Sequence, residues 1–126
     1  MLAASPGINS SAKGGTAMPS YLIQFSYAPE TLESLVKHPA ERGTVVNKLV
    51  QQIGGKLVGY WLSFGEYDGV IIVEGSDNVG AAACSMRVAS TGAFKAFKTT
   101  PLLNPDEALA AMKKADGLKY KPPGKK

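Results

Sequence analysis

The spacing of apolar residues along this chain switches repeatedly between a period of two and a helical period. The order of those switches limits the fold more than any single residue does. Ser20–Tyr27 alternates Tyr21, Ile23, Phe25 and Tyr27 against Leu22, Gln24 and Ser26, as a strand does. Leu32, Leu35 and Val36 then predict a short helix, with Pro29 at its first position and Glu30 and Glu33 near the positive end of its dipole. Pro39 interrupts it, because the residue before a proline is pushed out of helical backbone. Val46, Leu49, Val50 and Ile53 mark one face of a second helix, closed by Gly54-Gly55.

Lys56–Phe64 and Gly69–Glu74 read as strands joined by Gly65-Glu66-Tyr67-Asp68, a connection short enough to require an antiparallel hairpin. Ser76 or Asp77 caps the next helix, whose expected stripe is Val79, Ala82, Ala83 and Met86. Ala93–Thr100 reads as a fourth strand. Asn104-Pro105-Asp106-Glu107 is a capping-box pattern that opens a last helix ending near Ala115. The order β-α-β-β-α-β is the ferredoxin-like α+β arrangement: a four-stranded antiparallel sheet with helices on one face, here with an added C-terminal helix.

Both faces of that sheet read as apolar. Val58, Tyr60, Leu62 and Phe64 fall on one side of their strand and Leu57 and Trp61 on the other, while Ile71 and Val73 oppose Val70 and Ile72. One helical layer covers one face only, and a large exposed apolar patch is avoided by monomers. A second copy of the sheet is the expected cover, in preference to the C-terminal helix. The chain is therefore expected to be a homo-oligomer, a dimer or higher, with Trp61 and Leu57 as candidate interface residues.

Composition narrows the function classes. With 126 residues, 44% hydrophobic and 19% charged, the chain suits one globular domain. No run approaches the ~18–20 apolar residues of a membrane span. One Cys84 and one His38 give no internal disulfide and no zinc set, so no metal and no cofactor is expected. The net charge of +4 resides in the ends: Lys13 precedes Met18, and Lys119, Lys121, Lys125 and Lys126 close the chain. Residues 18–116 hold nine basic against ten acidic side chains, so no dedicated nucleic-acid face is expected. Residues 1–17 lack periodicity and the apolar core of a secretory signal. They read as a disordered leader, with Met18 a candidate alternative start. Residues 18–116 read as the domain and 117–126 as a basic flexible tail, and the expected location is cytoplasmic.

Pro19–Tyr27 (PSYLIQFSY), Gly54–Leu57 (GGKL), Phe64–Glu74 (FGEYDGVIIVE), Asp77-Asn78 and Thr99–Leu103 (TTPLL) together resemble the GYD domain family, from about Met18 to Ala115. The hairpin reads Glu66-Tyr67-Asp68, so the family's first glycine corresponds to Gly65 or is replaced by Glu66. The resemblance implies a ferredoxin-like domain in the broad group of dimeric α/β-barrel proteins. That group includes small monooxygenases, haem enzymes and amino-acid-sensing domains. The hairpin is also distantly similar to the effector-binding domain of Lrp/AsnC regulators.

No catalytic residue is assigned. His38 sits in a helix break before Pro39, which suits a surface or capping residue better than a haem ligand or base. Cys84, among alanines, reads as a small buried hydrophobe. Glu66, Tyr67 and Asp68 suit turn chemistry, yet binding residues also gather on loops held by rigid strands. Tyr21, Tyr27, Tyr60 and Trp61 bring aromatics onto neighbouring strands. Tyr21, Tyr27, Trp61, Tyr67 and Asp68 are the candidate ligand-binding residues. The leading reading is a small oligomeric binding or assembly module that holds a small apolar molecule between sheet and helices. The alternatives are a cofactor-independent enzyme, monooxygenase- or isomerase-like, acting on an aromatic substrate, and an effector-sensing regulatory domain.

Overall fold

A computed structural model describes residues 18–124. The leader expected over residues 1–17 and the end of the basic tail lie outside them. Met18–Leu102 form one compact unit. Within it run β1 (Ser20–Tyr27), α1 (Pro29–Lys37), α2 (Gly43–Gln52), β2 (Lys56–Leu62), β3 (Gly69–Glu74), α3 (Asn78–Ala89) and β4 (Phe94–Leu102). The sheet order is β2-β3-β1-β4 and every pairing is antiparallel. This is the ferredoxin-like α+β sheet that the periodicity predicts, with the first crossover divided at Pro39 into α1 and α2.

The second unit includes α4 (Pro105–Asp116). Its capping box forms as the sequence predicts: the Glu107 N–H donates to Asn104 Oδ1 at 2.8 Å, and the Asn104 N–H donates to Glu107 Oε1 at 2.9 Å.

The core of the first unit lies between the sheet and its helices. Ile23, Phe25, Tyr27, Val50, Ile71 and Val73 form it, with Leu35, Val46, Leu57, Tyr60, Phe94 and Phe97 packed around them. Phe25 is its centre, with ring centroids 5.3 Å from Tyr27, 5.4 Å from Phe94 and 6.5 Å from Tyr60. Gly69 makes room for that ring: a Cβ there would fall on Phe25. A ring laid over a strand glycine covers backbone that the glycine leaves bare.

Three sequence expectations are corrected. β2 ends at Leu62, and Phe64, expected within the strand, is 98% exposed in the turn. α3 is capped by Asp77, whose Oδ1 accepts from the Gly80 N–H at 2.7 Å, but its expected stripe faces outward, with Val79 and Met86 exposed. Cys84 and Val88 line the helix-side cavity instead, and Cys84 is buried. The cause is close docking at the N-terminus of α3, where a Cβ on Gly80 would lie 3.2 Å from the Ile53 carbonyl oxygen.

The third correction concerns the sheet faces. A β-bulge between Leu57 and Gly59 shifts the register of β2 by one residue. A one-residue slip reverses every side chain beyond it. Leu57, opposite Val73, therefore shares the helix side with Tyr60 opposite Ile71, and only Trp61, opposite Val70, faces away. The two candidate interface residues lie on different faces. Leu57 packs into the core and cannot belong to an outer interface.

Candidate functional site

Two surfaces of the first unit have the geometry to bind something. The outer sheet face, turned away from α1, α2 and α3, is defined by register. One row across the strands reads Gly59, Ile72, Leu22, Thr100 and the next reads Trp61, Val70, Gln24, Lys98. Lys56, Glu74, Ser20 and Leu102 complete it at one end and Ser26 and Ala96 at the other. Trp61, Val70, Ile72 and Leu22 thus form an apolar strip, with Gln24 beside it on the central strand and Lys56, Glu74 and Lys98 around it. The Trp61 indole lies back over Gly59, where a Cβ would collide with the ring, and it is 51% exposed. Glycine at that position leaves room for the indole over the strand.

The helix side holds an apolar cavity of about 100 Å³, walled by Phe25, Tyr27, Val46, Tyr60, Cys84 and Phe94 among others, with Arg42 its one charged lining residue. Two wider clefts, of about 330 and 460 Å³, open beside it, and both also have Tyr27 and Arg42 in their walls.

Burial pushes the Tyr27 phenol up to about 12, helped by the nearby Tyr60 phenol. Burial also raises the Cys84 thiol above its usual value, so neither group ionises near neutrality. Arg42, at the entry to α2, is exposed and makes no ion pair among the described residues. Its neighbour Glu41 is engaged, accepting from the backbone N–H of Gly43 and of Thr44 at the start of α2.

The five candidate ligand residues do not converge. Tyr21 and Tyr27 share the helix side of β1 but stand six residues apart, about 20 Å along the strand. Tyr21 is buried, and its hydroxyl donates to Asn78 Oδ1 at 2.8 Å. Its phenol is raised by burial, and by the Asp77 carboxylate. Trp61 is on the outer face. Asp68 accepts from the Tyr27 N–H through Oδ2 at 2.9 Å, while its own N–H donates to the Phe25 carbonyl at 2.7 Å. Ser26 Oγ donates to the Glu66 carbonyl at 3.0 Å. The hairpin is thereby stitched to the end of β1, and Asp68 is occupied in holding it there. The hydrogen bonds of Tyr67 in the turn are through its backbone: its carbonyl accepts from Ser63 Oγ at 2.9 Å. Of the five, only Tyr27 lines the cavity.

Sequence reasoning missed Arg42, Val46 and Phe94 as cavity residues. The signal for Arg42 was available, since it stands directly before the amphipathic helix whose Val46, Leu49 and Val50 face the cavity. His38 caps α1, its N–H donating to the Ser34 carbonyl at 2.8 Å, and is exposed. Among the described residues, no three His, Cys, Asp or Glu side chains cluster as a metal site would need, and no helix is long and apolar enough to cross a membrane.

Comparison with known proteins adds four relationships. The family model described as GYD domain matches residues 21–112. A protein of Thermus thermophilus named "Glutamine synthetase and cystathionine beta-lyase binding protein" is 30% identical over 78 residues, which are 62% of this chain and 82% of that one. Among solved structures, FFRP-DM1 aligns with a TM-score of 0.46 at 14% identity, over 68% of this chain and 100% of that one. A protein of unknown function from Nitrosomonas europaea aligns at 0.39 and 16%, over 69% and 90% of the two chains.

Proposed function

The chain belongs to the GYD domain family, and on that premise we propose that it is a binding and assembly module. It self-associates through the outer sheet face and holds a small apolar molecule on the helix side. The observation that carries this reading is Trp61, half exposed beside a strip of apolar residues, Val70, Ile72 and Leu22. A stable interface has such an apolar centre with aromatic residues and a polar rim.

The charges of this face, Lys56 beside Glu74 and Lys98 across Leu22, would allow cross-pairing with a second copy. Glu74 and Lys98 lie on opposite sides of Leu22, two rows apart. A copy placed face to face about a twofold axis near Leu22 sets each carboxylate against the partner's ammonium. Such an isologous contact closes after two chains. The relative named for binding two enzymes supports a module that also takes protein partners. The enzyme alternative draws less support, because the groups in the cavity are poorly placed for proton transfer: Tyr27 and Cys84 are both pushed away from neutrality.

Multi-angle light scattering tests the reading. Wild type is expected at twice the chain mass or more, and Trp61→Asp at the mass of one chain or aggregated. An unchanged mass in a well-behaved Trp61→Asp variant would remove this face from the assembly.

A further inference from the structure

We propose that the helix-side cavity takes an amphipathic monoanion, a small molecule with a flat, ring-sized apolar body and one carboxylate held at Arg42. This rests on the reading that the cavity is a binding site and names what it binds.

The apolar half of the inference comes from volume and walls. About 100 Å³ lined by Phe25, Val46, Cys84 and Phe94 is too apolar to hold water well; it is smaller than the roughly 150 Å³ at which a dry cavity accepts benzene, so a ring-sized guest would extend into the clefts that share Tyr27 and Arg42. Tyr27 and Phe94 stack on each other in the wall, centroids 5.2 Å and planes 28° apart, so a guest ring would meet aromatic surface there.

The anionic half comes from Arg42. It is the one residue with a formal charge on the inner cavity, it also borders both outer clefts, and no carboxylate among the described residues pairs with it. Glu41 shares one outer cleft and Glu30 the other, so both acids belong to the outer clefts and not to the inner cavity. Glu41 is moreover turned to the N-terminus of α2, where its charge meets backbone N–H groups. A planar guanidinium matches a carboxylate fork. Tyr27 and Tyr60 line the same cavity. A neutral apolar guest would leave Arg42 without a counter-charge, whereas a carboxylate at the mouth pairs it while the ring lies along the apolar walls.

Isothermal titration of the full chain with cinnamate and with cinnamyl alcohol, its neutral counterpart, tests this. Wild type is expected to bind cinnamate about tenfold more tightly than the alcohol, the scale of one charge-assisted hydrogen-bonded pair. Arg42→Gln should bring cinnamate down to the level of the alcohol and leave the alcohol unchanged. Lys48→Gln, an exposed change on the same helix outside the cavity, should alter neither. Equal affinity for the two probes in wild type, or equal losses in Arg42→Gln and Lys48→Gln, would overturn the anionic assignment while leaving an apolar site standing. Binding of neither probe would overturn this inference together with the cavity part of the proposed function. The light-scattering result is independent of all three.

Discussion

Gly69 and Gly59 both lie beneath aromatic rings, yet alanine should be tolerated at only one of them. At Gly69 the ring is Phe25, 3% exposed and enclosed by Tyr27, Phe94 and Tyr60. A methyl group there must displace a ring that has nowhere to go. Overpacking of this kind costs roughly 1–3 kcal/mol. Alanine also reduces the freedom of the unfolded chain, which returns about 0.4–1 kcal/mol where the backbone accepts it. Gly69 is not among the positive-φ glycines, so that gain applies. The net loss centres on about 1.3 kcal/mol within a range of about 0–2.6, and at about 4–8 °C per kcal/mol in a unit this size the thermal midpoint should fall by roughly 5–10 °C. At Gly59 the ring is Trp61, half exposed on a single chain and able to swing outward there, so Gly59→Ala should stay within about 0.5 kcal/mol of wild type in melts run dilute enough to hold both proteins as single chains. Circular dichroism melts of the two variants, with urea titration to check that the m-value holds, give the comparison. A Gly69→Ala midpoint equal to or above that of Gly59→Ala would refute the packing argument.

The remaining predictions concern the hairpin and the cavity. Asp68→Ala should destabilise by about 1–3 kcal/mol, because it leaves the Tyr27 N–H without its acceptor, and Asp68→Asn, which keeps an acceptor oxygen, should recover most of that in urea titrations. Cys84 should react slowly with Ellman's reagent in the native protein and rapidly in denaturant, since burial both shields the thiol and disfavours its thiolate. In an absorbance titration one tyrosine should ionise only toward pH 12. Because the folded-state value of Tyr27 lies above its usual 10.0, its contribution to stability is complete below about pH 10 and is lost as pH rises toward 12.

The strand and hairpin content was legible because alternation and short connections are local signals. Tyr21, Ile23, Phe25 and Tyr27 face the helices as their alternation predicts, and Asn104 and Glu107 form their box because both partners lie within one turn. What could not be read depended on distant contacts. Nothing around Val58 announces the bulge that moves Leu57 to the core, since a strand's register is fixed by its partner. The face of α3 was misread for a related reason. Its sequence is small and apolar on several sides, so the sheet side is chosen by how closely Gly80 can approach Ile53. The candidate ligand set mixed two faces and two ends of one sheet because aromatic content says nothing of position across strands. Arg42 was overlooked because a charge at a helix entry ordinarily reads as solvated, and its significance comes from the cavity beside it.

Trp61 is the only tryptophan, so its fluorescence reports on the outer sheet face alone. Acrylamide quenching of wild type and of Ile72→Asp, which places a charge beside the indole in the next row of the same face, tests the proposed assembly most directly. The account predicts that Trp61 is shielded in wild type by a second copy and becomes readily quenched in Ile72→Asp as the copies part. Quenching in wild type as strong as in the variant, with the same emission maximum, would contradict it.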